Sequence, residues 1–192
     1  MSQIKNNNPD LIAQKKLIKL FESETLNKNI IKSYIDKFPN SDFCYYLLGS
    51  IQKKEKDYES ALSAFYKAKE FNPNNSGVIN NIGEILFLKD KREEALKYFI
   101  ELTKLSPKYI IGWINLAMSY QNSGLLDKSE ECYEKALSLE PLNQRANIGF
   151  CELLRTLGRN NEVIVILKKL SENYPNEKVI STMYARSLFE DG

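Results

Sequence analysis

The chain has 192 residues, 43% of them hydrophobic and 27% charged, with a net charge of +2 and no histidine. It is long enough for a packed core to hold it without metal or disulfide staples, and the missing histidine removes Ser-His-Asp sites, Cys-His sites and histidine metal sites together. A charge so close to balance argues against nucleic acid or a membrane surface as partner, and no apolar run approaches the roughly 20 residues that cross a bilayer.

The opening MSQIKNNNPDLIAQKK is polar and lacks an apolar core followed by a small-residue cleavage site, so no secretory signal is expected and a cytoplasmic location is. Cys44, Cys132 and Cys151 are odd in number and share no metal or redox spacing, so they are expected to be reduced structural thiols. Residues 1–41 are expected to form a divergent helical pair, with the helical period carried by Leu11, Ile18, Ile31 and Ile35 and the end marked by Pro39. Lys15 and Asn27 stand where later units carry small residues, which suits a capping unit with a single neighbour.

Prolines organise the rest of the chain. Pro39, Pro73, Pro107, Pro141 and Pro175 are each 34 residues apart. Counting each proline as position 32 divides the chain into units at 42–75, 76–109, 110–143 and 144–177, with 178–192 opening a fifth. In this register position 8 is small (Gly49, Gly83, Ala117, Cys151), as is position 20 (Ala61, Ala95, Ser129, Val163). Position 24 is large (Phe65, Phe99, Tyr133, Leu167), as is position 7 (Leu48, Ile82, Leu116, Phe150). Small residues recur where helices approach closely and large ones where the gap must be filled. In the first unit the spacing predicts a helix A over about 42–54, with Tyr45, Leu48 and Ile51 on one face. A helix B over about 58–71 carries Ala61, Leu62, Phe65 and Ala68 and is stopped by Pro73. Neither helix buries its stripe alone, so stacked pairs must share a core, giving about eleven helices and no sheet.

The run Tyr45, Leu48, Gly49, Ala61, Phe65, Ala68 and Pro73 resembles the tetratricopeptide repeat, a 34-residue helix-turn-helix. Trp113, Leu116, Ala117, Tyr120, Tyr133, Ala136 and Pro141 repeat the pattern, and Ile79, Ile82, Gly83, Leu86, Ala95, Phe99 and Pro107 come close to it. The fourth unit departs at Asn147, Val163 and Leu170. The resemblance implies an all-α, right-handed superhelical solenoid whose A helices line a concave groove.

No catalytic constellation is found, and the chain is expected to be neither an enzyme nor a cofactor or metal binder. The paired carboxylates Glu93 with Glu94 and Glu130 with Glu131 read as a solvated face among lysines, and the aromatics, Trp113 included, fall mostly on packing positions. The eight glycines are scattered, without a phosphate loop. Function is therefore expected on the groove, as a scaffold that binds a peptide or protein segment. A chaperone-type carboxylate clamp is excluded, because Tyr46, Ser50, Ile111 and Asn115 occupy its lysine, asparagine and arginine positions and a start one unit later meets Asn80 and Glu84.

An asparagine ladder fits in part, like the one with which O-linked N-acetylglucosamine transferase repeats hold a peptide backbone. Asn81 and Asn115 occupy its position 6, while Leu47, Gly149 and Met183 interrupt it. Both amides are expected to be exposed. The expected contact set is Tyr46, Asn80, Asn81, Phe87, Ile114, Asn115, Met118 and Arg145.

The segment from Lys178 to Glu190 reads as a fifth helix A, with Tyr184, Ala185 and Leu188 at packing positions and Val179, Ile180, Met183 and Phe189 beside them. It is either a capping helix, with self-association through it as one expectation, or the start of further sequence. The second alternative makes the chain a docking or assembly region of a larger glycosyltransferase, sulfotransferase or methyltransferase, an analogy of architecture alone.

Overall fold

Proline has no backbone donor and pushes the residue before it out of the helical region. Phe38, Asn72, Glu140 and Tyr174, each just before one of the periodic prolines, accordingly have φ of −132°, −139°, −144° and −128° and close their helices. The computed structural model describes residues 9–23 and 25–191. Its helices are α1 (Pro9–Glu22), α2 (Lys28–Lys37), α3 (Asp42–Lys54), α4 (Tyr58–Phe71), α5 (Ser76–Leu88), α6 (Arg92–Leu105), α7 (Ile110–Asn122), α8 (Leu126–Leu139), α9 (Gln144–Thr156), α10 (Asn160–Asn173) and α11 (Lys178–Asp191), with no strand among the described residues. The helices α3, α5, α7 and α9 each begin 34 residues after the one before. The fold is an all-α helix-turn-helix solenoid. Two compact units, Met1–Tyr98 and Phe99–Gly192, divide within α6.

The turns inside the helix pairs share one device. Lys56, Asp90, Gly124 and Gly158, all at position 15, have left-handed φ of 63°, 60°, 73° and 74°. The next amide reaches back to the helix in every case: Asp57 to the Gln52 carbonyl, Lys91 to Leu86, Leu125 to Tyr120 and Arg159 to Leu154, at 2.9–3.0 Å. This closes the orphan carbonyls of helix A by the Schellman pattern. Glycine adopts that φ freely and lysine does not. Lys56→Gly should therefore raise stability by about 0.5–1 kcal/mol, and Gly158→Ala should lower it by a similar amount. Thermal melts of the two variants check this, and a lower Tm for Lys56→Gly would show that the lysine side chain supports the turn.

In the first unit, Leu17, Ile31, Cys44 and Leu47 form a buried cluster, flanked by Tyr34, Ile35 and Tyr46. The opening helix differs in phase from expectation: Leu17 is fully buried, whereas Ile18 is 41% exposed. One residue is about 100° of helix, so the neighbour of a core residue faces outward. The side chain of Leu11 lies outside the described residues. Gly49 of α3 lies against the Phe65 ring of α4, where a Cβ would stand 2.9 Å from two ring carbons.

In the second unit the position-24 residues Phe99, Tyr133 and Leu167 are buried. Ser129, replacing the alanine usual at its position, satisfies its hydroxyl by donating to the Ala117 carbonyl at 2.9 Å. Trp113 is half-buried and donates from Nε1 to the Pro107 carbonyl at 2.9 Å. Along α11, Ile180 and Ser187 are buried, and Arg155 donates to the Ser187 hydroxyl at 2.7 Å. Ala185 and Leu188, expected to pack, are exposed instead, and the buried positions of α11 are Ile180 and Ser187.

Candidate functional site

Within each unit successive A helices touch, α3 with α5 and α7 with α9. Their shared faces carry the residues singled out in the sequence. The helical period of about 3.6 residues brings positions 2, 5, 6 and 9 onto one side, and long cations from one helix reach amides on the next.

In the first unit Lys53, in the last turn of α3, donates to Asn81 Oδ1 at 2.7 Å and pairs with Glu84. Asn81 Nδ2 donates to the Gly77 carbonyl one turn earlier, at 2.8 Å. Asn80 Nδ2 donates to Glu84 Oε1 at 3.0 Å. Tyr46 packs over Phe65, with ring centroids 6.1 Å apart, and covers Gly77. Phe87, half-buried at the end of α5, lies beneath the Arg92 guanidinium at 5.7 Å.

In the second unit Arg145, exposed near the start of α9, donates from Nη2 to Asn115 Oδ1 at 2.7 Å and lies 3.9 Å from the Met118 sulfur. Beyond them a cleft of about 490 Å³ is lined by Met118, Gln121, Tyr133, Ile148, Gly149 and Glu152, among others. The Tyr133 ring passes under Gly149: a Cβ at that position would lie 2.5 Å from the phenol oxygen. Burial and the nearby Glu152 carboxylate push the phenol's pKa up, against a smaller opposing effect of Arg145, so the group stays neutral.

Exposure of the amides is corrected by this geometry. Asn115 is only 4% exposed, and Asn80 and Ile114 are buried as well; Asn81 is half-buried. Positions 5 and 6 fall where neighbouring A helices touch, and a cation from the adjacent repeat covers each position-6 oxygen. Tyr46, Phe87, Met118 and Arg145 keep exposed or half-exposed surface. By spacing alone Tyr133 is a packing residue and Gly149 a break in the ladder, and neither stands out as part of a site. The signal that points to them is a hydroxyl-bearing position-24 side chain followed by glycine at position 6 of the next unit.

Cys44, Cys132 and Cys151 are buried and form no disulfide, and burial pushes the thiols of Cys132 and Cys151 up to about 12, so neither is a thiolate nucleophile at neutral pH. Glu93, Glu94 and Glu131 are exposed. Glu130 departs from the solvated face, accepting from Arg159 at 2.5 Å. Arg159 also forks onto Glu162, whose carboxyl it holds below the usual range. Among the described residues no group of three or more Cys, Asp or Glu side chains comes together as metal ligands, and no helix is long and apolar enough to cross a membrane.

Family models described as Tetratricopeptide repeat match residues 44–75, 77–109 and 110–143, together just over half of the chain. The human protein O-mannosyl-transferase TMTC3 is 36% identical over 85 residues, 44% of this chain but only 9% of that protein. The chain therefore spans a small fraction of that relative's length. Among solved structures, TTC0263, a thermophilic TPR protein of Thermus thermophilus, superposes with a TM-score of 0.72 at 20% identity, covering 92% of this chain and 97% of that one. YrrB, described as a TPR protein with an unusual peptide-binding site, gives 0.68 at 16% identity, covering 88% and 87%.

Proposed function

The chain belongs to the tetratricopeptide repeat family, and we propose that it acts as a protein-interaction scaffold whose A-helix faces bind a peptide segment. The observation that carries this reading is the face itself, where half-buried apolar side chains stand beside groups able to hydrogen-bond an extended backbone. In the first unit the face offers Tyr46, Asn81 and Phe87, supported by buried Asn80. In the second it offers Met118 and Arg145, supported by buried Ile114 and Asn115. YrrB, a protein of like fold, is described as having a peptide-binding site, which suits a peptide as the ligand.

The test is selection from a displayed library of random peptides, followed by site-specific photo-crosslinking of the enriched sequences. A crosslinker at Gln121 on α7 or Phe87 on α5 should capture the peptide, and one at Glu134 on α8 should not. No enrichment over an unrelated helical protein, or capture from α8 instead, would sink the proposal.

The similarity to a protein named as a transferase favours one further reading, in which the repeats are the docking region of a larger enzyme. Sequencing the gene on either side decides it: an adjoining transferase domain supports this reading, and its absence removes it.

A further inference from the structure

Tyr133 is 1% exposed, its ring packed against Phe150 at 6.0 Å between centroids. Its hydroxyl has no hydrogen-bond partner among the described residues, yet it belongs to the lining of the cleft between α7 and α9. Gly149 is what lets it open into the cleft: any side chain there would begin 2.5 Å from the phenol oxygen. The hydroxyl thus stands in the place of the position-6 side chain, which is asparagine in the two preceding repeats.

The walls decide what could occupy the cleft. Met118 and Ile148 supply apolar surface, and the flexible thioether adapts to different shapes. Arg145 and Glu152 flank Gly149 about one turn to either side, and neither forms an ion pair among the described residues. Their charges are opposite and sum to zero, so the lining favours neither a cation nor an anion, and a charged occupant would lose hydration without net electrostatic gain.

We infer that this cleft is a subsite of the proposed peptide-binding face, taking an uncharged, apolar side chain of the bound segment while the adjoining backbone amide hydrogen-bonds the Tyr133 hydroxyl. A hydroxyl both donates and accepts, so it serves a peptide N–H or C=O equally and takes the part of the missing rung. The inference rests on the interaction reading above but can fail separately from it.

The full chain, labelled at methionine and isoleucine methyl groups, is titrated with N-acetyl-leucine N′-methylamide and with its aspartate and lysine counterparts, followed by NMR. The leucine compound should shift the Met118 and Ile148 methyl signals, and its N-methyl group should show a nuclear Overhauser contact to the Tyr133 ring. Tyr133→Phe should melt no lower than the parent and bind the leucine compound about three- to tenfold more weakly, as expected for one net hydrogen bond. Absence of the Met118 shift, no contact to the Tyr133 ring, equal affinity in Tyr133→Phe, or tighter binding of either charged compound would overturn the inference. Library peptides still captured at Gln121 in that event would leave the interaction face standing without this subsite. No captured peptide together with leucine-compound binding would do the reverse.

Discussion

Gly49→Leu should lower the melting temperature by several degrees, the consequence of about 1–3 kcal/mol of overpacking in a chain of this size. The Phe65 ring leaves no room: its Cδ1 and Cε1 lie 2.9 Å, and its Cγ 3.0 Å, from where the first side-chain atom would stand. Nor can the ring swing aside, since Phe65 is fully buried and packs against the Tyr46 ring as well. Either the helices α3 and α4 separate or the ring leaves its rotamer, and both cost packing. A double-mutant cycle makes the cause specific. Gly49→Ala and Phe65→Leu should each destabilise, and the combination should cost less than the sum, because the smaller side chain at 65 vacates the space that the new methyl enters. Additive losses, or an unchanged Tm for Gly49→Leu, would mean that the helices do not meet at this pair.

Asn115→Ala should cost about 1–2 kcal/mol, well beyond the roughly 0.5 kcal/mol of an ordinary surface change. The side chain is buried and its oxygen accepts the guanidinium of Arg145 at 2.7 Å, so truncation removes a charge-assisted hydrogen bond and leaves a void between α7 and α9. Asn81→Ala should cost less. Asn81 is half-buried, and its partner Lys53 keeps Glu84 as an alternative acceptor when the amide is gone. Chemical denaturation of the two single variants gives the comparison. Equal losses would contradict the different burial of the two amides. The asymmetry also governs how binding data are read, since a loss of affinity in Asn115→Ala mixes contact with stability whereas one in Asn81→Ala reports mainly on contact.

Helix boundaries are legible in the sequence because their causes are local and periodic. The five prolines stop alternate helices by their own covalent structure, and α3 and α4 span Asp42–Lys54 and Tyr58–Phe71, where apolar spacing places them. The recurrence of a small residue at position 8 and a large one at position 24 is equally plain in the sequence, and Gly49 does lie against the Phe65 ring. Family membership follows from the same pattern.

Depth of burial and the use of individual polar groups were decided only in three dimensions. Helical phase in the first helix turned on one residue, Leu17 against Ile18, because a single divergent unit has no repeated column to fix it. Position 15 is left-handed in all four repeats, yet Lys56 and Asp90 conceal this, since the turn hydrogen bonds force the conformation on residues that do not prefer it. Periodicity placed Asn81 and Asn115 on a common face but could not reveal that Lys53 and Arg145, 28 and 30 residues away in sequence, reach over to cover them. Tyr133 under Gly149 belongs to the same class. A residue's own helix determines its direction. How far that direction runs before meeting a neighbour depends on side chains brought from the next repeat, whose length, charge and rotamer no spacing rule contains.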